Sequence, residues 1–262
     1  MLGATGRLGG ILRVCWGQNG ATWQARRDMR GCETVQPFDK ASLVALLRNA
    51  PAVICLWGAV PGPGAAFGEN VTLARLALDA AAAADAGRVF LASTAAVYGR
   101  ADGPLTEEVA APVSDYGRTK LEMEAMAAAH THPSCALRIG NVAGADAILG
   151  NWQVDMALDH DPDHGTPRRS YIGPNGFART LRHLATQRDL PAVLNMAVPG
   201  AVGMGTLLDH AGLPWTRRTP APGVIWNVEL DTTRLASCAP FGAEDMGAAA
   251  IVADWRAWKD GT

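Results

Sequence analysis

A tyrosine and a lysine, Tyr116 and Lys120, lie four residues apart in the segment YGRTK (116–120). This spacing places the two side chains on one face of a helix. A free phenol, with a pKa near about 10, is a poor base at neutral pH, but a neighbouring positive charge favours the phenolate. The pair therefore predicts an acid–base site. An amphipathic helix with an exposed tyrosine and lysine is the alternative interpretation.

Two hydroxyl side chains, Ser93 and Thr94, lie at the end of the apolar run 88–93. That run predicts a strand, and open α/β sheets bind ligands at the carboxyl ends of their strands. A hydroxyl group there can bond a substrate oxygen and help to move its proton. Local turn formation is the alternative reason for serine and threonine at a strand end.

A glycine-rich segment, GATGRLG (3–9), predicts a phosphate-binding turn. Gly3 and Gly6 would let the backbone approach a pyrophosphate closely, because neither residue has a Cβ atom. A helix that begins near Arg7 would direct its N–H groups and its positive dipole end at the phosphate. Gly9 would let this helix pack closely against the sheet. A glycine-rich turn without a ligand is the alternative.

The strand that should precede this turn is almost absent, because the turn begins at residue 3. In a doubly wound sheet the first strand is central, so its loss would leave two neighbouring strands with open edges. We therefore expect a truncated first strand and a natural start upstream of Met1. A complete sequence with a rearranged sheet is the alternative.

Strand-length apolar runs alternate with helical patterns along the first two-thirds of the chain. The run AVICLW (52–57) is typical of a strand buried on both faces, and the alanine-rich segment 69–86 predicts a helix that ends at Gly87. Asp39 is expected to cap the next helix. This alternation implies right-handed crossovers and a doubly wound parallel α/β sheet. The predicted strands are 22–25, 52–57, 88–93 and 135–139, and the predicted helices are 40–49, 69–86, 116–130, 177–187 and 243–258.

The composition excludes several classes of protein. The 262 residues are 48% hydrophobic and 18% charged, and the formal net charge of −2 indicates neither a nucleic-acid nor a membrane surface. The apolar runs are shorter than the ~18–20 residues that span a bilayer, and no signal-peptide pattern opens the chain. Five widely spaced cysteines predict reduced thiols in a cytoplasmic protein. A polar turn around Pro162 explains the histidines and aspartates of 160–164, so we predict no metal site.

Four segments together resemble the extended short-chain dehydrogenase/reductase family, in its NAD-dependent epimerase/dehydratase group. They occur in the family order and are GATGRLGG (3–10), ASTAAVYG (92–99), the stretch from Thr106 through Pro112 to YGRTK (116–120), and LRIGNVAG (137–144). The resemblance covers most of the chain and implies a Rossmann-like fold. It also implies that Tyr116 is the catalytic acid and base, that Lys120 holds the cofactor ribose, and that Thr94 is the catalytic hydroxyl.

The resemblance further implies contacts with a dinucleotide and a substrate. The expected cofactor contacts are Gly3, Thr5, Gly6, Arg7, Leu8, Gly9, Arg26, Arg27, Trp57, Gly58, Ala59, Ser93, Tyr116, Lys120 and Asn141. The expected substrate contacts are Val60, Thr94 and Asn141, and Asn70 matches an asparagine with a structural role near the active site. The cofactor is NADP or NAD, and Arg26 and Arg27 favour NADP because guanidinium groups pair with its extra phosphate. A solvated surface pair is the alternative.

Two stretches depart from the family pattern. Members of the family often carry an aspartate after the third strand that meets the adenine, whereas Asp39 of QPFD (36–39) is expected to cap the next helix. The stretch YIGPNGFA (171–178) lacks both acids of the family's Val-Asp-Asp turn. The last third of the chain also breaks the alternation of strands and helices. We predict a dinucleotide-binding Rossmann core at 1–144 and a mixed segment at 145–262 that completes the sheet and forms a small substrate-binding lobe.

The predicted function is hydride transfer at a carbinol or carbonyl carbon by an NAD(P)-dependent oxidoreductase, epimerase or dehydratase, with a sugar or nucleotide sugar as the candidate substrate. The alternatives are an NADP-dependent reductase of a small carbonyl compound and a non-catalytic dinucleotide sensor. The expected partners are a small-molecule substrate and a second copy of the chain in a homodimer. Neither a nucleic acid nor a membrane is expected.

Overall fold

A parallel β-sheet forms the centre of the structure, a computed structural model that describes residues 1–101 and 103–261. The strands are β1 (Gln24–Ala25), β2 (Glu33–Thr34), β3 (Val53–Cys55), β4 (Val89–Thr94), β5 (Pro104–Leu105), β6 (Ser134–Ile139), β7 (Asn141–Val142), β8 (Ala157–Asp159), β9 (Arg168–Arg169), β10 (Tyr171–Ile172), β11 (Val193–Met196), β12 (Val202–Gly203), β13 (Thr216–Arg218) and β14 (Asn227–Leu230). The helices are α1 (Arg7–Trp16), α2 (Lys40–Leu47), α3 (Glu69–Ala83), α4 (Asp115–Ala128), α5 (Pro174–Leu184), α6 (Met204–Ala211), α7 (Thr233–Cys238) and α8 (Gly247–Asp260).

The first strand of the sheet is reduced to one residue, Leu2, as the truncation predicted. Leu2 bridges Gln24 of β1 on one side and Cys55 of β3 on the other, in the parallel sense. Its N–H donates to the carbonyl oxygen of Ile54 at 2.8 Å, and its own carbonyl accepts from the N–H of Leu56 at 3.0 Å. The spatial order is therefore β2, β1, Leu2, β3, β4, β6 and β11, with every pairing parallel.

The side chain of Gln24 supplies contacts that this short strand cannot make. It is fully buried. Its Oε1 accepts from the N–H of Gly3 at 3.0 Å and from Nε1 of Trp57 at 2.9 Å. Its Nε2 donates to the carbonyl oxygen of Val35. The amide of Gln24 thus joins the glycine-rich turn to Val35, which follows β2, and to Trp57, which follows β3. These contacts stabilise the sheet around Leu2.

Helices cover both faces of the central sheet. Alternate residues of β3 and β4 enter two different apolar clusters, as the period of two in a strand requires. On one face α2, α3 and α4 pack against one another, and on the other α1, α5, α6 and α8 do so. The structure is therefore the Rossmann-like, doubly wound α/β fold that the sequence predicts.

The chain after residue 144 contributes to both parts of the molecule. β11 returns to the central sheet and pairs with β6. Outside that sheet, β12, β9, β14 and β5 form a small mixed sheet, and β13 pairs with β8. Two of these short strands, β9 and β14, form one wall of a cleft at the carboxyl end of the central sheet.

The N-terminus of α5 is capped by an acidic side chain from a distant part of the chain, Asp254. Oδ1 of Asp254, on α8, accepts from the N–H and Nδ2 of Asn175, and Oδ2 accepts from the N–H of Gly176 at 2.9 Å. A Cβ atom at Gly173 would lie 2.1 Å from the same Oδ2. Asp254 therefore fills the space and satisfies the amides at the stretch where the sequence lacks the two family acids.

Two local predictions have a clear outcome in the structure. Asp39 caps α2, because its Oδ1 accepts from the N–H of Ser42 at 3.1 Å. Asp161 holds the segment 160–164 in a turn, since its Oδ1 accepts from the N–H of Asp163 and from both the N–H and Nδ1 of His164. In the described part of the chain, no helix is long and apolar enough to cross a membrane.

Candidate active site

Two adjoining clefts open at the carboxyl end of the central sheet. The larger, of about 500 Å³, lies between the glycine-rich turn, the ends of β3 and β4, and α4. The smaller, of about 370 Å³, lies between the end of β4, the start of α4 and the lobe strands β9 and β14. Both clefts are lined by Thr94, Ile139, Gly140 and Asn141. A ligand in one cleft would therefore meet a ligand in the other at Thr94 and Asn141.

The glycine-rich turn fits the pyrophosphate of a dinucleotide. Gly3 has a φ of +88°, a conformation that side-chain-bearing residues rarely adopt. A Cβ atom at Gly9 would lie 2.4 Å from the carbonyl oxygen of Gly3, so glycine is required where α1 crosses the turn. No side chain caps the start of α1 at Gly6, and Gly6, Arg7 and Leu8 line the larger cleft. The first N–H groups of α1 therefore remain available for an anion.

Tyr116 lies on the first turn of α4, is half-buried and lines the larger cleft. Burial raises the pKa of its phenol above the ordinary value, while a hydrogen bond from the Thr94 hydroxyl and the charge of the Arg7 guanidinium oppose this shift. The ring of Phe67 packs against the Tyr116 ring at a centroid distance of 5.6 Å. The phenol thus lies beside Thr94, the catalytic hydroxyl that the resemblance implied, and near the guanidinium group of Arg7.

Lys120 lies one turn further along α4 and is buried. Its Nζ donates to the carbonyl oxygen of Ala92 at 2.7 Å and lies 6.0 Å from the centroid of the Tyr116 ring. Burial lowers the pKa of this ammonium from its ordinary 10.5 to about 8, although Cys55 and Glu124 act in the opposite direction. A Cβ atom at Gly58 would lie 3.0 Å from Nζ, so this glycine leaves room for the ammonium.

Ser93 belongs to a buried polar network below the cleft. Its hydroxyl donates to the carboxylate of Glu124, which also forms an ion pair with Arg138 at 2.8 Å, both side chains being 4% exposed. Nη1 of Arg138 donates to the hydroxyl of Tyr98 at 3.1 Å. Ser93 therefore fixes the end of β4 next to Thr94, while Thr94 lines both clefts.

Asn70 connects the loop after β3 to α4. Its Oδ1 accepts from the N–H of Ala59 at 3.0 Å, and its Nδ2 donates to Oγ1 of Thr119 at 3.4 Å. Thr119 in turn donates to the carbonyl oxygen of Tyr116. The position of Asn70 matches the structural role that the resemblance implied.

Most of the predicted contact residues lie together at the clefts. Those that line at least one cleft are Gly6, Arg7, Leu8, Gly9, Trp57, Gly58, Val60, Ser93, Thr94, Tyr116, Lys120 and Asn141. Those that line neither are Gly3, Thr5, Ala59, Arg26 and Arg27. Arg26 and Arg27 are exposed, directly after β1. The individual roles of these residues stay predictions.

Arg169 is a residue of the site that the sequence alone does not identify. It lies on β9, lines the smaller cleft and is half-buried. Burial lowers the pKa of its guanidinium. Arg168, next to it, is exposed and donates to the carbonyl oxygen of Ala201 instead. The sequence shows an arginine pair, and only the pairing of the lobe strands shows which member faces the cleft.

The comparisons with known proteins agree with this geometry. A sequence profile of the NAD dependent epimerase/dehydratase family matches residues 1–158. A comparison with curated proteins finds no match.

Three solved structures illustrate the similarity in fold. MoeE5 in complex with UDP-glucuronic acid and NAD is 26% identical, with a TM-score of 0.73 over 99% of this chain and 97% of that chain. The enzyme WbmG of Bordetella bronchiseptica, in complex with NAD and UDP, is 20% identical, with a TM-score of 0.79 over 99% and 93%. The NAD dependent NDP-hexosamine 5,6-dehydratase TunA is 18% identical, with a TM-score of 0.78 over 100% and 97%.

The family profile covers more than half of the chain, including the glycine-rich turn, Thr94, Tyr116, Lys120 and Asn141. On this evidence, the chain belongs to the NAD dependent epimerase/dehydratase family.

Proposed function

We propose that the chain acts on a nucleoside diphosphate sugar, by hydride transfer at a carbinol carbon of the sugar. The observation that carries this proposal is Arg169. Its guanidinium is half-buried in the smaller cleft and forms no ion pair with a described residue. A partly desolvated cation without an acidic partner is costly, and an anionic ligand would remove that cost.

A diphosphate suits this position better than a small neutral carbonyl compound. Two phosphate oxygens match the planar donors of a guanidinium group, and the donors pair with them in a bidentate manner. The cleft continues from Arg169 to Thr94, so a sugar attached to that diphosphate would reach the catalytic hydroxyl. Bound UDP in WbmG and bound UDP-glucuronic acid in MoeE5 support the same class of substrate.

The side chains at the junction of the clefts divide the chemistry among them. The larger cleft would hold the nicotinamide cofactor, which would supply the hydride acceptor and donor. Tyr116, as the phenolate, takes the proton of the sugar hydroxyl and becomes the phenol, and Thr94 orients that hydroxyl. The charges of Lys120 and Arg7 favour the phenolate over the phenol. Oxidation, epimerisation and dehydration can all begin with this step, and reduction of a carbonyl carbon is its reverse.

The catalytic part of the proposal is tested with Tyr116→Phe. We expect kcat for UDP-glucose or UDP-glucuronic acid to fall about 10²- to 10⁴-fold, because general acid–base catalysis is lost. The dissociation constants of NADH and UDP should change little, as measured by fluorescence and calorimetry. Turnover equal to that of the unmodified protein would contradict the role of Tyr116.

The substrate class is tested with Arg169→Met, and Arg168→Met is the matched control. A charge-assisted hydrogen bond contributes about 1.5–3 kcal/mol, so Arg169→Met should weaken UDP binding roughly 10- to 100-fold. Arg168→Met should leave UDP binding almost unchanged. Turnover of small carbonyl compounds without binding of any UDP-sugar would overturn the nucleotide-sugar proposal and favour a simple reductase.

We further propose that Arg26 and Arg27 favour NADP over NAD. Both lie after β1, where the 2′ end of the cofactor is expected, and neither pairs with an acid among the described residues. Asp28 follows them and would favour the ribose hydroxyls of NAD, which is the cofactor bound in MoeE5 and WbmG. The arginines support NADP because the two positive charges of Arg26 and Arg27 outnumber the one negative charge of Asp28.

The double variant Arg26→Ala/Arg27→Ala should weaken NADPH binding at least tenfold more than NADH binding, as measured by fluorescence titration. Equal losses for the two cofactors would mean that the arginines do not recognise the phosphate. Homodimer formation and a cytoplasmic location stay predictions from the sequence.

A further inference from the structure

Asn141 and Tyr171 are direct partners across two short parallel strands, β7 and β10. Neighbouring strands lie about 4.8 Å apart, so the side chains of such partners lie next to each other. Asn141 is half-buried and lines both clefts. Tyr171 is 1% exposed and lies behind it. The phenol is therefore a buried support for an amide that faces the site.

The hydroxyl of Tyr171 is fixed from its other side by Asp146. Oδ2 of Asp146 lies 3.0 Å from the Tyr171 hydroxyl and also accepts from the N–H of Ile148. Oδ1 accepts from the N–H groups of Gly144 and Gly150. The loop thus wraps around the carboxylate, which can only accept hydrogen bonds and receives donors on both oxygens.

The hydrogen bond to Asp146 determines whether the Tyr171 oxygen can donate or accept a second hydrogen bond. The Tyr171 hydroxyl has one hydrogen atom, and Asp146 takes it. The Tyr171 oxygen can then only accept a further hydrogen bond, and Asn141, its direct partner on β7, carries a donor in Nδ2. Burial and the Asp146 carboxylate raise the pKa of Tyr171 well above the ordinary value, so the phenol keeps its proton in the working pH range.

We propose that Asp146 and Tyr171 are positioning residues that fix the orientation of the Asn141 carboxamide at the junction of the two clefts. One N–H of Asn141 is held by Tyr171. Its Oδ1 and its second N–H are left for the contents of the clefts. An acceptor and a donor side by side suit a sugar hydroxyl, which can both donate and accept. The identity of this ligand rests on the proposed nucleotide-sugar function, whereas the fixed orientation rests on the pairing of Asn141 with Tyr171 and on the hydrogen bond between Tyr171 and Asp146.

The functional test is a double-mutant cycle with Tyr171→Phe and Asn141→Ala. Tyr171→Phe frees the amide to rotate, so the KM for UDP-glucose should rise about three- to tenfold while NADH affinity changes little. Asn141→Ala should raise the KM as well. In the Tyr171→Phe background, however, it should add less than half of its effect in the unmodified protein, because the two residues act as one unit.

The control variant is Tyr98→Phe, which removes another buried phenol hydroxyl that is bonded to Asn195 and Arg138 and lines neither cleft. Its effect and that of Asn141→Ala should add independently. Additive effects of Tyr171→Phe and Asn141→Ala would overturn the positioning role. A failure of the unmodified protein to bind any UDP-sugar would instead overturn the proposed function and the ligand assigned to Asn141.

A second measurement follows the orientation without any substrate. In a ¹⁵N-labelled sample, the two side-chain amide protons of Asn141 should exchange with solvent at clearly different rates, because one is held by Tyr171. In Tyr171→Phe the slow proton should become fast, and in Tyr98→Phe it should stay slow. Equal exchange rates in the unmodified protein would overturn the positioning role independently of the proposed function.

Discussion

Lys120 illustrates how a single side chain of the candidate active site opposes the stability of the fold around it. Its ammonium is 3% exposed and has one short hydrogen bond, to the carbonyl oxygen of Ala92. The fall in its pKa from 10.5 to about 8 means that the folded protein disfavours the charged form. At neutral pH the charge is therefore kept beside Tyr116 at a cost in folding free energy, a common property of functional sites.

We predict that Lys120→Met abolishes activity and stabilises the protein at pH 7. Each pKa unit corresponds to about 1.4 kcal/mol, and the lost bond to Ala92 offsets about 1 kcal/mol, so the gain should be roughly 2 kcal/mol. Between pH 8 and 10.5 the unfolded chain binds more protons than the folded one. The stability of the unmodified protein should therefore rise with pH in that window, and the gain of the variant should shrink.

Urea unfolding of both proteins at pH 7 and pH 10 measures this difference. Lys40→Met, at an exposed lysine in α2, is the control and should change the free energy of unfolding by less than about 0.5 kcal/mol. A Lys120→Met variant that is less stable at pH 7 would contradict the prediction.

Two adjacent glycines of α1 show how an element is adapted to its site. A Cβ atom at Gly9 would meet the carbonyl oxygen of Gly3 at 2.4 Å and the Cα of Ala4 at 2.8 Å, both backbone atoms. A Cβ atom at Gly10 would meet nothing within 4 Å. The close approach at Gly9 is what keeps the start of α1 beside the turn.

We predict that Gly9→Ala destabilises the protein by about 1–3 kcal/mol, because the turn or the helix must move. It should also weaken NADH binding, since the N–H groups of α1 would shift. Gly10→Ala should instead stabilise the protein by about 0.5–1 kcal/mol, as alanine does inside a helix. Thermal unfolding and NADH titration of the two variants provide the comparison. Equal effects of the two substitutions would contradict the prediction.

At this scale the sequence predicts long elements better than short ones. The bounds of α1 follow from Gly6 and Gly17 at its two ends, and Asp39 marks the start of α2. Strands β9 and β10 have two residues each, which is too short for any periodic pattern. The roles of Arg169 and Asp146 depend on the pairing of those strands, so they follow from the three-dimensional structure alone.

At the scale of the molecule, α8 is joined to α5 by one carboxylate. Asp254 lies 78 residues beyond Gly176 along the chain and accepts from that residue and from Asn175. A side chain of the last helix thus completes the N-terminus of a helix that packs against α1. Sequence patterns near residue 176 contain no sign of this, because the cap comes from outside the local segment.

We predict that Asp254→Ala destabilises the protein by about 1–3 kcal/mol, since it leaves the N–H groups of α5 unsatisfied. Hydrogen exchange of the Asn175 and Gly176 amides should accelerate more than exchange in β4. Asp260→Ala, at an exposed acid of the same helix, should change neither quantity appreciably. Unchanged exchange at Gly176 in Asp254→Ala would show that the carboxylate does not cap α5.

Thr94, Ile139, Gly140 and Asn141 form a wall common to both clefts, so we expect the binding of the proposed cofactor and substrate to be energetically coupled. Such coupling is reciprocal: the factor by which a dinucleotide tightens the binding of a sugar nucleotide equals the factor in the opposite direction. A substitution in this wall should therefore change the coupling between the two ligands as well as the affinity for one of them. Affinities measured for each ligand alone give only two of the four equilibria in the thermodynamic cycle. The other two are the affinities of each ligand for the protein that already holds the other ligand.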